Sequence, residues 1–176
     1  MGLWKLFGKS ESEKKNRLAI LVDYENVSRE AALEGKVLDF DKLLSECLQA
    51  GIIDFAVIFV PNHLVTYRLP DYIYDKGFYV ISCPSAYRNG SRNQKEKDRV
   101  DTIMTEFGLK LTERTDLTHL IIVSHDGDFV RLANYAKQHG KKVIAVAGEH
   151  ISFLLKQVVD VIYPLPLKEK VNGNGY

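Results

Sequence analysis

Apolar and polar positions along the chain follow two alternating rhythms. Arg17 to Val22 (RLAILV) is a short, almost wholly apolar run that breaks into Asp23-Tyr24-Glu25-Asn26, which predicts a buried strand ending in acid. Phe40, Leu43, Leu44, Cys47 and Leu48 then recur at helical spacing. Asp39 or Asp41 is available as N-cap and Gly51 lies just past the end, so this segment predicts an amphipathic helix. Ile52 to Val60 reads as a second buried strand and Phe78 to Ser82 as a shorter third, while Asn62 to Lys76 between them carries mixed helical signals interrupted at Pro70. The polar stretch Ala86 to Lys97 (AYRNGSRNQKEK) reads as a loop or mobile segment, after which Val100, Ile103, Met104, Phe107 and Leu111 restore a helical stripe. Leu120 to Val123 is a fourth strand, Phe129, Leu132, Ala133 and Ala136 line a helix closed by Gly140, and Val143 to Ala147 is a fifth strand. Ile151 to Val159 predicts a last helix before the short apolar run Val161 to Tyr163.

Apolar strands separated by amphipathic helices predict an α/β fold with three layers, α/β/α, around a mostly parallel sheet of about five strands. In such sheets ligands bind beyond the carboxyl ends of the strands, where the strand order reverses. The expected organisation is a flexible tip and tether over residues 1–16, one domain over 17–164 and a disordered tail over 165–176, with no internal repeat.

With 176 residues, 45% of them hydrophobic, the chain can bury a core of its own. Twenty-four Lys and Arg against 23 Asp and Glu leave a net charge of +1, so affinity for a polyanion has to come from a local basic patch. Cys47 and Cys83 sit in apolar or strand-like surroundings with no metal-binding or redox spacing, which suits core packing in a reducing compartment. No apolar run has the length of a membrane span, and a cytoplasmic location is expected. Leu3, Trp4, Leu6 and Phe7, interleaved with lysines ahead of SESEKKNR, suit at most weak peripheral contact with a membrane or a partner.

The acids carry the chemistry. Asp23 ends the first strand, and Asp126 and Asp128 follow the fourth in Val123-Ser124-His125-Asp126-Gly127-Asp128-Phe129, so both sets lie at one edge of a parallel sheet. If those strands are neighbours, three carboxylates converge, and their repulsion calls for a cation. An oxygen-only donor set favours one or two Mg2+ or Mn2+ ions over zinc. On the helix after the polar loop, Asp101 stands at the border of the apolar stripe, beside Thr105, whereas Asp98 and Glu106 turn away. Each acid also has a bland explanation as a helix cap, a turn residue or a solvated position. Their coincidence at one edge favours the site. Arg88, Arg92, Lys95, Lys97 and Arg99, with Tyr87 available for base stacking, supply a local basic segment just before Asp101. The histidines show no ligand spacing, and only His125, adjoining Asp126, stays open to a role at the site.

The segments LAILVDYEN (Leu18 to Asn26), KDRVDTIM (Lys97 to Met104) and VSHDGDFVRLANYAKQHGKKVIAV (Val123 to Val146) resemble the NYN-domain, or LabA-like, family of the PIN-like nuclease fold. The resemblance implies metal-dependent RNA cleavage. It places Asp23, Asp126 and Asp128 on acidic metal-binding positions, Asn26 on the motif asparagine and Asp101 on the acid after the basic segment. Two departures stand out: His125 replaces a glycine common in relatives, and Glu106 falls near a further acidic position. The expected function is a Mg2+- or Mn2+-dependent ribonuclease, endonucleolytic on single-stranded or loop RNA, with Asn26 and Ser124 orienting water, ligand or phosphate. A homodimer or a protein partner is a further expectation for a PIN-like domain. Two rivals are weighed against it. A catalytically silent RNA- or partner-binding regulator would keep the same fold and acids. A haloacid-dehalogenase-like phosphatase would need a second Asp two residues after the first, where this chain has Glu25.

Overall fold

Five consecutive residues that are inaccessible to water, Leu18 to Val22, place the first strand inside the molecule with both faces covered. The computed structural model describes residues 15–66, 68–86 and 97–170. In chain order the elements are β1 (Arg17–Asp23), α1 (Tyr24–Leu33), β2 (Lys36–Leu38), α2 (Phe40–Ala50), β3 (Ile52–Pro61), α3 (Leu69–Asp75), β4 (Tyr79–Cys83), β5 (Ser85–Ala86) and β6 (Lys97–Asp98). There follow α4 (Val100–Thr112), β7 (His119–Val123), α5 (Val130–Gln138), β8 (Lys142–Ala147), α6 (Phe153–Val158), β9 (Val161–Pro164) and β10 (Leu167–Glu169).

Six strands form one sheet in the order β4-β3-β1-β7-β8-β9, and every pairing in it is parallel. The sheet has one strand more than the five read from sequence, because Val161–Pro164 pairs with β8 from Ile144↔Val161 to Ala147↔Pro164. Alternation of side chains along β1 separates two cores. Leu18, Ile20 and Val22 join Val27, Phe40, Leu43, Ile73 and Phe78 on one face. Ala19 and Leu21 join Met104, Leu111, Phe129, Leu132 and Leu155 on the other. The three-layer α/β/α arrangement follows directly.

Three local features depart from the hydropathy pattern. Tyr24–Leu33 is a helix whose inward residues, Val27, Glu30 and Ala31, include a charge, so it has no apolar stripe to announce it. Pro70 opens α3 rather than breaking it, because the first turn of a helix has no partner for the missing N–H. Beyond residue 164, β10 pairs antiparallel with β2, and Asp39 N donates to Pro166 O at 2.8 Å. The part of the expected tail that reaches Glu169 is therefore built into the domain. Residues 1–14 and 171–176, to which the flexible tip and the rest of the tail were assigned, lie outside the described residues.

Candidate active site

Strand order reverses between β1 and β7. From β1 the chain builds outward through β3 and β4, then returns to pair β7 with the other edge of β1 and builds outward again through β8 and β9. Val22 pairs with Val123, so both strands end at the same level and their following residues share one crevice. Asp23, which is 4% exposed, caps α1 by accepting a hydrogen bond from Asn26 N at 3.2 Å. Asp126 caps the short turn Gly127–Phe129 through Asp128 N at 3.0 Å. The third arm is α4, which carries Asp101 in its first turn.

Asp101, Asp126 and Asp128 each bring a carboxylate oxygen within 4.8 Å of the other two. Asp23, Glu25, Asn26, Arg29, Val100, Asp101, His125 and Asp126 line the cleft beside them. Burial pushes the Asp23 carboxyl up to about 7 against the opposing hydrogen bond from Asn26 N, and the charges of Asp101, Asp126 and Glu25 raise it further. This concentration of carboxylate oxygens fits a hard divalent cation. Asn26 joins the two strand ends: its Oδ1 accepts from His125 N at 3.0 Å, and its Nδ2 lies 3.2 Å from His125 Nε2.

A family model described as the NYN domain matches residues 17–166. The chain belongs to the NYN family. NYN domains are a branch of the PIN-like nucleases and bind RNA, which makes nuclease chemistry the setting for this acidic cleft. Among solved structures, a protein of unknown function from Vibrio parahaemolyticus superposes with a TM-score of 0.74 at 23% identity, over 88% of this chain and 96% of that one, and shows the shared fold. Homoserine dehydrogenase from S. aureus aligns with a TM-score of 0.39 at 12% identity, over 86% of this chain and 32% of that one, too low to bear on the fold or function. No curated protein matches the chain. No helix among the described residues is long and apolar enough to cross a membrane.

Within the NYN domain, the structure brings together Asp23, Asn26, Asp101, Asp126 and Asp128. Ser124 takes a different place from the one expected. It is fully buried and its Oγ accepts from Asp126 N at 3.1 Å, so it braces the loop and does not face the cleft. Glu106 is exposed on α4 and is not among the cleft residues. Of the basic segment, Arg99 is exposed immediately before α4, and Lys97 pairs with Ala86 through the backbone. Tyr87, Arg88, Arg92 and Lys95 lie outside the described residues. Sequence reasoning did not single out Arg29 and Glu30, and it noticed Glu25 only as a departure from a phosphatase pattern. The i,i+4 spacing of Glu25 and Arg29, which form an ion pair on α1, was the available signal for the first.

Proposed function

We propose that this NYN domain is a Mg2+- or Mn2+-dependent ribonuclease that cleaves phosphodiester bonds endonucleolytically in single-stranded or loop RNA. The observation that carries the reading is the convergence of Asp101, Asp126 and Asp128, with buried Asp23 beside them, where strand order reverses. These four would hold one or two ions, as their oxygen-only donor set suits. A bound ion supplies positive charge against the charge that develops on the phosphate and acidifies the attacking water.

The chain's own residues do the rest. Asn26 locks the ends of β1 and β7 to each other, which fixes the spacing of the acids on either side. Arg29 and Arg99, both exposed, suit contact with flanking phosphates. The same role is proposed from sequence for Arg88, Arg92, Lys95 and Lys97, and base stacking for Tyr87. Such contacts favour affinity that falls with salt and discriminates little between sequences.

The test is cleavage of a labelled, structured RNA by wild type and Asp126→Asn, with Mg2+, Mn2+ or chelator at low salt. Metal-dependent cleavage by wild type, reduced about 100-fold or more in the variant, is expected. Salt-sensitive binding without cleavage by either protein would replace this reading with an RNA-binding regulator. Full activity of a correctly folded variant would remove Asp126 from the site.

A further inference from the structure

Behind the cleft, one carboxylate serves two imidazoles. Glu30, on α1, is 5% exposed although nothing in the proposed chemistry uses it. Its Oε1 accepts from His150 Nδ1 at 2.9 Å, and its Oε2 lies 3.9 Å from His125 Nδ1. A carboxylate this enclosed persists only when charge-assisted contacts compensate the lost hydration. The backbone makes room for it: a Cβ on Gly148 would collide with the Glu30 carboxylate, so residue 148 admits no side chain while Glu30 stays where it is.

Hydrogen bonds around His125 fix the position of its proton. Asn26 Oδ1 is already the acceptor for His125 N, which leaves the Asn26 amide nitrogen, a donor, facing His125 Nε2. Nε2 must then accept, and the proton of the neutral ring resides on Nδ1, the nitrogen that faces Glu30. His150 belongs to the loop between β8 and α6, and Ser152 of that loop donates its N–H to His125 O at 2.8 Å. Glu30 thus touches both loops that enclose the acids from this side.

We infer that Glu30 is a positioning residue of the acidic site: through His125 it holds the Ser124–Asp128 loop, and with it Asp126 and Asp128, in the arrangement that receives a cation. The functional half of this inference rests on reading those acids as cation ligands. The structural half, Glu30 holding His125 and its loop in place through the charge that faces Nδ1 and through the His150 loop, does not. Outer partners of this kind orient the groups that bind a metal, and losing one costs 10–100-fold in affinity in typical sites. Glutamine cannot fully replace Glu30: its amide oxygen can still accept from His150 Nδ1, but the charge that faces His125 Nδ1 across 3.9 Å is lost.

The experiment uses the full chain with 15N-labelled histidine, wild type and Glu30→Gln. Long-range proton–nitrogen spectra of the metal-free proteins read the His125 tautomer, and Mn2+ titration followed by electron paramagnetic resonance reads affinity. Wild type should show a single His125 tautomer protonated on Nδ1, and E30Q displaced His125 ring and backbone nitrogen shifts with the Mn2+ dissociation constant raised about 10-fold. A wild-type ring protonated on Nε2, or averaged, overturns the inference even if E30Q fails to fold. So does a folded E30Q with either wild-type His125 nitrogen shifts or the wild-type Mn2+ affinity. Absence of Mn2+ binding to wild type would instead strike at the cation-dependent reading, and with it the functional half, while the His125 nitrogen shifts still decide whether Glu30 holds His125.

Discussion

At Asp23 and Asp126, helix capping and the candidate chemistry draw on the same side chains. Each carboxylate uses one oxygen to cap the turn that follows its strand, so the bland explanation weighed against a metal site is true and is also what aims the acids. Asp23 bears the cost of this arrangement. Its carboxyl titrates near 7 in the folded chain against an ordinary value of 3.8, so the folded state binds that proton more tightly than the unfolded state does. The sign follows from linkage: this group costs no stability below about pH 4, costs progressively more as pH rises from 4 to 7, and levels off above. At about 1.36 kcal/mol per pH unit the loss reaches at most about 4 kcal/mol without a cation. Asp23→Asn keeps a good cap and removes the charge. In chelator it should melt several degrees higher than wild type at pH 8, the difference closing toward pH 4.5, and thermal denaturation across that range checks it. Saturating Mn2+ at pH 8 should raise the wild-type midpoint and leave Asp23→Asn nearly unmoved.

Elements were legible from sequence in proportion to how apolar their buried faces are. β1, β3, β7 and β8 consist of apolar runs and were read within a residue or two, and α2 and α4 show regular stripes. α1 was missed because Glu30 interrupts its inward face, and the same residue holds His125 and His150. β2 and β10 are three residues long and pair with each other across the chain, so no local pattern marks them, and β9 showed only as the short apolar run Val161 to Tyr163. The acids were legible because they end strands. Arg29 and Glu30 were not, since only the packing of α1 brings Arg29 to the cleft and Glu30 behind it. α4 shows what a stripe leaves unsaid. Gly108 stands where a Cβ would lie 2.7 Å from both terminal methyls of Leu132 on α5, so the two helices meet over a missing side chain. Gly108→Val should force them apart at a cost of about 1–3 kcal/mol despite its better helix propensity, measurable by urea denaturation. Asp101 rides on the same helix, so cation affinity should fall with it.

Across the whole molecule, a net charge of +1 leaves no global attraction for RNA, and binding has to be local. Arg29, exposed and lining the cleft, is a cation that sequence reasoning did not identify. Arg29→Ala should weaken binding of single-stranded RNA and reduce the slope of log affinity against log salt by about 0.7, the contribution of one phosphate contact; an unchanged slope would exclude it from the interface.

The reversal of strand order has a further consequence, for the chain during synthesis. Among the described strands β1 is made first yet occupies an inner position, and the partner for its second edge starts where Thr118 pairs back to Arg17, 101 residues later. At roughly 5–20 residues per second the apolar run Leu18 to Val22 leaves the ribosome on the order of 5–20 s before β7 can cover that edge. The site therefore assembles late, between a strand that has waited and one that has just arrived, and nascent chains stalled before residue 118 would present an open, aggregation-prone edge to chaperones and to one another.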